Sequence, residues 1–194
     1  MSRVIEQHRT AVLTTANQLT ILRIVFVPVF IILLAYHEVG WAFSTFVAAG
    51  VTDILDGVIA RRFRQKTSIG SVLDPLADKL LMVSSILLLS LPQMEFMTVI
   101  PRWLAILIIF RDVFILLVST IVVLMIGWRT FKPSSYGKAS TVMQVLTVLA
   151  VLYVDWRHVV VPELNILFYM TGLVTTISGL HYLVRGLRQW TSNE

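Results

Sequence analysis

Apolar runs long enough to cross a lipid bilayer follow one another along almost this whole chain, and no other feature restricts its fold so much. A helix needs about 20 apolar residues to cover the roughly 30 Å hydrocarbon core. Runs bounded by Gly, Pro and charge predict helices over residues 17–36, 41–62, 70–91, 99–127, 138–155 and 161–184. Together they use most of the 194 residues and leave little chain for a soluble domain. The expected fold is all-α: a polytopic membrane protein whose six transmembrane helices form one bundle and one domain over residues 1–194. Composition agrees, with 57% hydrophobic and 14% charged residues, against about 25% charged in an average soluble domain.

Charge then orients the bundle. The net charge of +5 fits either nucleic-acid binding or a basic collar against anionic lipid, and its distribution decides between them. With the N-terminus on the cytoplasmic side, Arg3, Arg9, Arg61, Arg62, Arg64, Lys66, Arg129, Lys132, Lys138, Arg185 and Arg188 fall at the inner face. Only Arg102 and Arg157 fall near the outer one. The positive-inside rule is obeyed, and no nucleic-acid partner is expected. Arg23, Lys79 and Arg111 lie within predicted spans, toward their inner halves. Trp41, Trp103, Trp156 and Trp190 stand near helix ends, as interfacial anchors do. The polar stretch Met1 to Arg9 precedes a span-length run without a small-residue cleavage site, so that run is expected to be a retained first helix. The absence of cysteine excludes disulfides and thiolate metal sites.

Acidic groups in a membrane segment are costly and mark function. This chain gathers several: Asp53 and Asp56 close the second predicted span, and Asp74 and Asp78 open the third. Spacings of three and four put each pair on one helix face. Two such faces meeting across antiparallel helices make a cage of four carboxylates, whose mutual repulsion needs compensation. Divalent cations supply it, and oxygen-only ligation suits Mg²⁺ or Mn²⁺. Two ions could clamp a pyrophosphate and stabilise both oxygens of an in-line displacement. Gly57, Ala60 and Gly70 leave space beside such a site, and Arg61 can neutralise phosphate charge.

The complete pattern is Asp53-x2-Asp56-Gly57-x2-Ala60-Arg61-x8-Gly70-x3-Asp74-x3-Asp78. It resembles the signature of the CDP-alcohol phosphotransferases at every specified position, and six spans with the signature on the second and third are also that family's usual layout. The resemblance implies a homodimeric six-helix enzyme of the bacterial inner or plasma membrane, its polar cavity open to the cytoplasm. It implies Asp53, Asp56, Asp74 and Asp78 as ligands of two Mg²⁺ or Mn²⁺ ions, with Asp78 also the general base. Asp56, Gly57, Ala60, Arg61 and Gly70 would surround the CDP moiety of CDP-diacylglycerol.

The acceptor is read from residues outside the signature. Asn17-Gln-Leu-Thr20-Ile-Leu-Arg23 resembles the opening of the family's phosphatidylglycerophosphate synthases, which transfer to glycerol 3-phosphate. An anionic acceptor gives a reason for Arg111 and Lys138, with Thr141 one turn further on. Arg111-Asp112 and the stretch Lys132 to Lys138 also resemble the family's cardiolipin synthases, whose acceptor is phosphatidylglycerol; inositol phosphate and serine are further possible acceptors. A structural pair between Arg111 and Asp112 is the alternative for that arginine, opposed by the rule that adjacent helical residues do not face each other. An ion-coupled transporter would spread its charges across the bilayer and show inverted repeats. A structural scaffold would have no need of clustered acids. His8, His37, His158 and His181 lack ligand spacing and are expected at surfaces.

Overall fold

The structure, a computed structural model, describes residues 15–63, 70–94, 96–126 and 135–191. Six helices account for nearly all of them: α1 Thr15–Ala35, α2 Val39–Phe63, α3 Gly70–Leu89, α4 Arg102–Ile126, α5 Ser135–Arg157 and α6 Leu164–Thr191, with a single 3₁₀ turn at Pro92–Met94. The all-α expectation holds, with no strand among the described residues. Each helix overlies a predicted one. The largest departure is α6, which continues seven residues past the predicted end at 184.

Among the residues searched, Ser135–Arg157 and Leu164–Val184 are long and apolar enough to cross a membrane, whereas Ile24–Ala35, Val39–Leu55 and Lys79–Leu89 are shorter apolar stretches. Large apolar side chains nonetheless crowd the exterior: Ile54, Ile106, Phe110, Val160, Ile166 and Tyr169 are each about two-thirds exposed. A surface of this kind is stable against hydrocarbon and prone to association in water. Trp41, Trp103 and Trp156 are exposed near helix ends, as interfacial anchors should be.

The chain folds as two compact units, Met1–Leu88 and Leu89–Glu194. In the first, α1 packs on α2 through Phe30, Leu34, Ala42, Phe46 and Ala49, all buried, with the Phe30 and Phe46 rings 5.8 Å apart. Pro28 lies inside α1 and the helix continues past it. Membrane helices tolerate such a proline because neighbouring groups satisfy the carbonyl it leaves without a donor. In the second unit α6 packs against both α4 and α5. Pro101 begins α4, its carbonyl accepting from Leu104 and Ala105 N–H. Ahead of it, the buried Asp155 carboxylate near the end of α5 accepts the Met97 N–H at 2.7 Å, and Ile100 N–H donates to Leu89 O.

Helices α1 and α5 end the same way. His37 and His158 have φ of 60° and 52°. His37 donates to Leu34 O and Glu38 to Leu33 O; His158 donates to Asp155 O and Val159 to Val154 O. Both are Schellman caps, a motif that usually places glycine at the left-handed position. The two exposed histidines thus stop helices, consistent with their expected surface placement.

Close approach of α4 and α6 depends on Gly172. A Cβ there would lie 2.7 and 3.0 Å from atoms of the Trp103 ring, which stacks on Tyr169. Gly172→Ala should push that ring off its stack and cost roughly 1 kcal/mol or more, read as a lower thermal midpoint in detergent. Gly50→Ala is the control: nothing lies within 4 Å of its added Cβ, and the helix should gain about 0.5–1 kcal/mol.

Candidate active site

The four aspartates fall on two successive helices. Asp53 and Asp56 lie in the last three turns of α2, and Asp74 and Asp78 in the first three of α3. At about 1.5 Å per residue, Asp56 is about 10 Å and Asp53 about 15 Å from the end of α2, while Asp74 is about 6 Å and Asp78 about 12 Å from the start of α3. Six residues join the two helices, a connection of the length that links antiparallel neighbours. Asp53 is exposed. The side chains of Asp56, Gly57, Ala60, Arg61, Gly70, Asp74 and Asp78 lie outside the described residues, and no metal-binding cluster occurs among those described. The donor chemistry fits a divalent ion: four carboxylates, each pair on one helix face, with no nitrogen or sulfur ligand in the pattern.

The residues expected to bind the acceptor belong to the second unit. Arg111 is buried on α4. Its Nη1 lies 2.8 Å from Asp112 Oδ1 and its Nη2 donates to Ser178 Oγ on α6 at 2.5 Å, while its buried Nε has no partner among the described residues. The expectation that Arg111 and Asp112 do not meet is therefore corrected. Adjacent Cβ atoms do diverge on a helix, but the long arginine stem curls back and brings the guanidinium to its neighbour. Lys138 is exposed in the first turn of α5, and Thr141, one turn on, donates to Gly137 O at 3.2 Å.

A seam of hydroxyl contacts fixes how these helices align. Thr147 pairs with Thr171 at 2.8 Å and Ser140 with Thr175 at 3.2 Å, and the Tyr136 and His181 rings lie 4.8 Å apart. Positions fall along α5 as they rise along α6, so the helices are antiparallel and Ser178 lies opposite the first turn of α5. Arg111, bonded to Ser178, is thereby level with the turn that carries Lys138. Counted along its own helix, Arg111 is the tenth of 25 residues. Its depth relative to α5 comes from packing. Gln144, buried, extends the seam by donating to Ser140.

Sequence reading missed this seam and Ser178 with it. The available signal was polar residues at helical spacing inside apolar runs: 140, 144 and 147 on one helix, 171, 175 and 178 on the other. Beside Arg111, α4 and α6 also leave a groove of about 320 Å³ lined mainly by Leu107, Phe110, Phe114, Leu180 and Leu183. Gly179 also lines it, and a Cβ there would make an ordinary contact with Arg111 Cγ at 3.7 Å.

Residues 13–178 match the family model for CDP-alcohol phosphatidyltransferases. This chain belongs to that family. Membership makes it a transferase of phospholipid biosynthesis, in a membrane-associated family that takes a CDP-alcohol donor and an alcohol acceptor and generally uses divalent metal ions. The chain is 32% identical to a probable CMP-forming cardiolipin synthase of Drosophila melanogaster over 93% of its own length and 60% of that protein's. It is 33% identical to a probable phosphatidylglycerophosphate synthase of Mycobacterium tuberculosis over 93% and 85% of the two chains. With a CDP-diacylglycerol–glycerol-3-phosphate 3-phosphatidyltransferase of Haemophilus influenzae it shares 34% identity over 85% and 89%.

Changing Asp56 or Asp74 to Asn removes charge while keeping shape. Either variant of this CDP-alcohol phosphatidyltransferase should lose more than roughly 100-fold in activity, since even an outer partner of a metal ligand is worth about 10–100-fold. Both should remain folded in detergent by gel filtration and thermal melting. Near-normal activity in either would remove the metal-cage interpretation.

Proposed function

We propose that this protein transfers the phosphatidyl group of CDP-diacylglycerol to glycerol 3-phosphate, forming phosphatidylglycerophosphate and releasing CMP. The observation that carries this reading is the complete acid signature carried by two successive helices, α2 and α3. Relatives named for this transfer, at about a third identity, support the choice of acceptor.

In this reading Asp53, Asp56, Asp74 and Asp78 hold two Mg²⁺ or Mn²⁺ ions, which when bound supply positive charge to the pyrophosphate and its leaving oxygen. Asp56, Gly57, Ala60, Arg61 and Gly70 surround the CDP moiety. Asp78 takes the proton from the acceptor hydroxyl as its oxygen bonds to the phosphatidyl phosphorus. The bond from that phosphorus to the CMP oxygen breaks, and CMP leaves. Arg111, Lys138 and Thr141 bind the acceptor phosphate. The level alignment of Arg111 with the first turn of α5 supports their acting together.

The six helices are further proposed to be six spans of one domain, in a homodimer of a bacterial plasma membrane with the acid site facing the cytoplasm. The exposed apolar side chains and the bias of Arg and Lys toward the predicted inner segments support the spans and their orientation. The family resemblance supports the dimer.

A second reading, transfer to phosphatidylglycerol, is favoured by the surroundings of Arg111. Among the described residues, Asp112 offsets the guanidinium charge and leaves Lys138 as the excess. That balance suits a singly charged phosphodiester better than a phosphate monoester carrying up to two charges. The apolar groove beside Arg111 also suits an acyl chain.

Purified protein in mixed micelles with CDP-diacylglycerol and Mg²⁺ or Mn²⁺ should release CMP on addition of glycerol 3-phosphate, with phosphatidylglycerophosphate as the lipid product. Inositol phosphate and serine should give background release. Turnover with phosphatidylglycerol alone would select the second reading and leave the metal chemistry unchanged. If none of these acceptors elicited CMP release from demonstrably folded protein, the assignment of the donor would be overturned.

A further inference from the structure

Arginine carries five N–H donors in a rigid planar fork, so fixing two of its nitrogens fixes the direction of the rest. Here the two anchoring bonds come from different helices. Asp112 on α4 takes Nη1, and Ser178 on α6 takes Nη2. Arg111 and Asp112 are at least nine-tenths buried, and Ser178 is fully so. The position of Ser178 is itself determined. The Thr147–Thr171 and Ser140–Thr175 contacts set the register and rotation of α6, and Ser178 follows Thr175 by three residues on the same buried face.

A guanidinium held only by its neighbour Asp112 would keep its freedom about the stem torsions. A hydroxyl on a second, separately anchored helix removes that freedom before any acceptor arrives. Because the acceptor then meets a group already oriented, it does not bear the ordering entropy of a long side chain, about 0.5–1.5 kcal/mol per immobilised side chain. We propose that Ser178 is a positioning residue for the acceptor: by bonding Arg111 from α6, it presets the guanidinium that receives the acceptor phosphate. The proposal rests on Arg111 binding that phosphate.

The test is a double-mutant cycle on the full-length protein in mixed micelles, comparing the native chain with Ser178→Ala, Arg111→Lys and the double variant. KM for acceptor and for CDP-diacylglycerol are measured separately. Ser178→Ala should raise the acceptor KM about 3- to 10-fold and leave the donor KM within about twofold, as expected for a preorganised ordering cost of that size. Arg111→Lys should raise the acceptor KM by at least as much, and adding Ser178→Ala to it should change nothing further, because lysine lacks the fork that Ser178 holds.

Equal effects of Ser178→Ala in both backgrounds, or parallel rises in both KM values, would show that Ser178 acts only in packing and would overturn the proposal. An unchanged acceptor KM in Arg111→Lys, with activity intact, would overturn the assignment of Arg111 and the proposal together. Ser178→Thr keeps the hydroxyl and provides the control: an acceptor KM near the native value, in a variant that melts normally, ties the effect to the hydrogen bond. A KM as high as that of Ser178→Ala in such a variant would count against it.

Discussion

Hydrocarbon cannot hydrogen-bond, so a polar group inside a membrane protein must find its partner within the protein or cost several kcal/mol. The second unit is arranged around that demand. Ser140, Gln144 and Thr147 on α5 face Thr171, Thr175 and Ser178 on α6, all buried and each bonded to another polar group. Apolar packing alone would leave these helices free to slide, since lipid tails are as apolar as leucine. The hydroxyl seam selects one register. From that register follow the depth of Ser178, the orientation of Arg111 and its level relative to the first turn of α5.

The same demand explains the contrast between the two clusters of charge. Arg111 and Asp112 are buried and largely satisfy each other. The aspartates of α2 and α3 differ in kind: four acids stand close together in one signature, and the repulsion of clustered carboxylates is what divalent cations relieve. A buried pair that is already neutral can tune what binds near it, and a cluster of acids favours cations beside it. A CDP-alcohol phosphatidyltransferase needs both kinds of site, because it handles a pyrophosphate donor and an acceptor that is itself a phosphate compound in the proposed reading.

Helix positions were legible because apolar runs and their Gly, Pro and charged boundaries are local features. The motif was legible because its spacing is written along consecutive helices. The partners of Arg111 were not. A rule about Cβ directions argued against Asp112, yet the arginine stem is long enough to defeat that rule. Ser178 lies 67 residues away, where no local pattern points to it. The histidine caps were likewise hidden, since glycine is the usual residue at that position and its absence removed the expected sign.

Sequence by itself therefore determined an all-helical, lipid-compatible chain, the placement of four aspartates on two successive helices, and the family to which they belong. These depend on periodicity and spacing, which neighbouring residues impose on one another. Only tertiary structure decided which polar residues of α4, α5 and α6 meet, that Asp112 offsets Arg111, and that Ser178 holds the guanidinium. Those outcomes depend on helix register and on the reach of long side chains. Both are settled when separate helices pack and bury their remaining polar groups against one another.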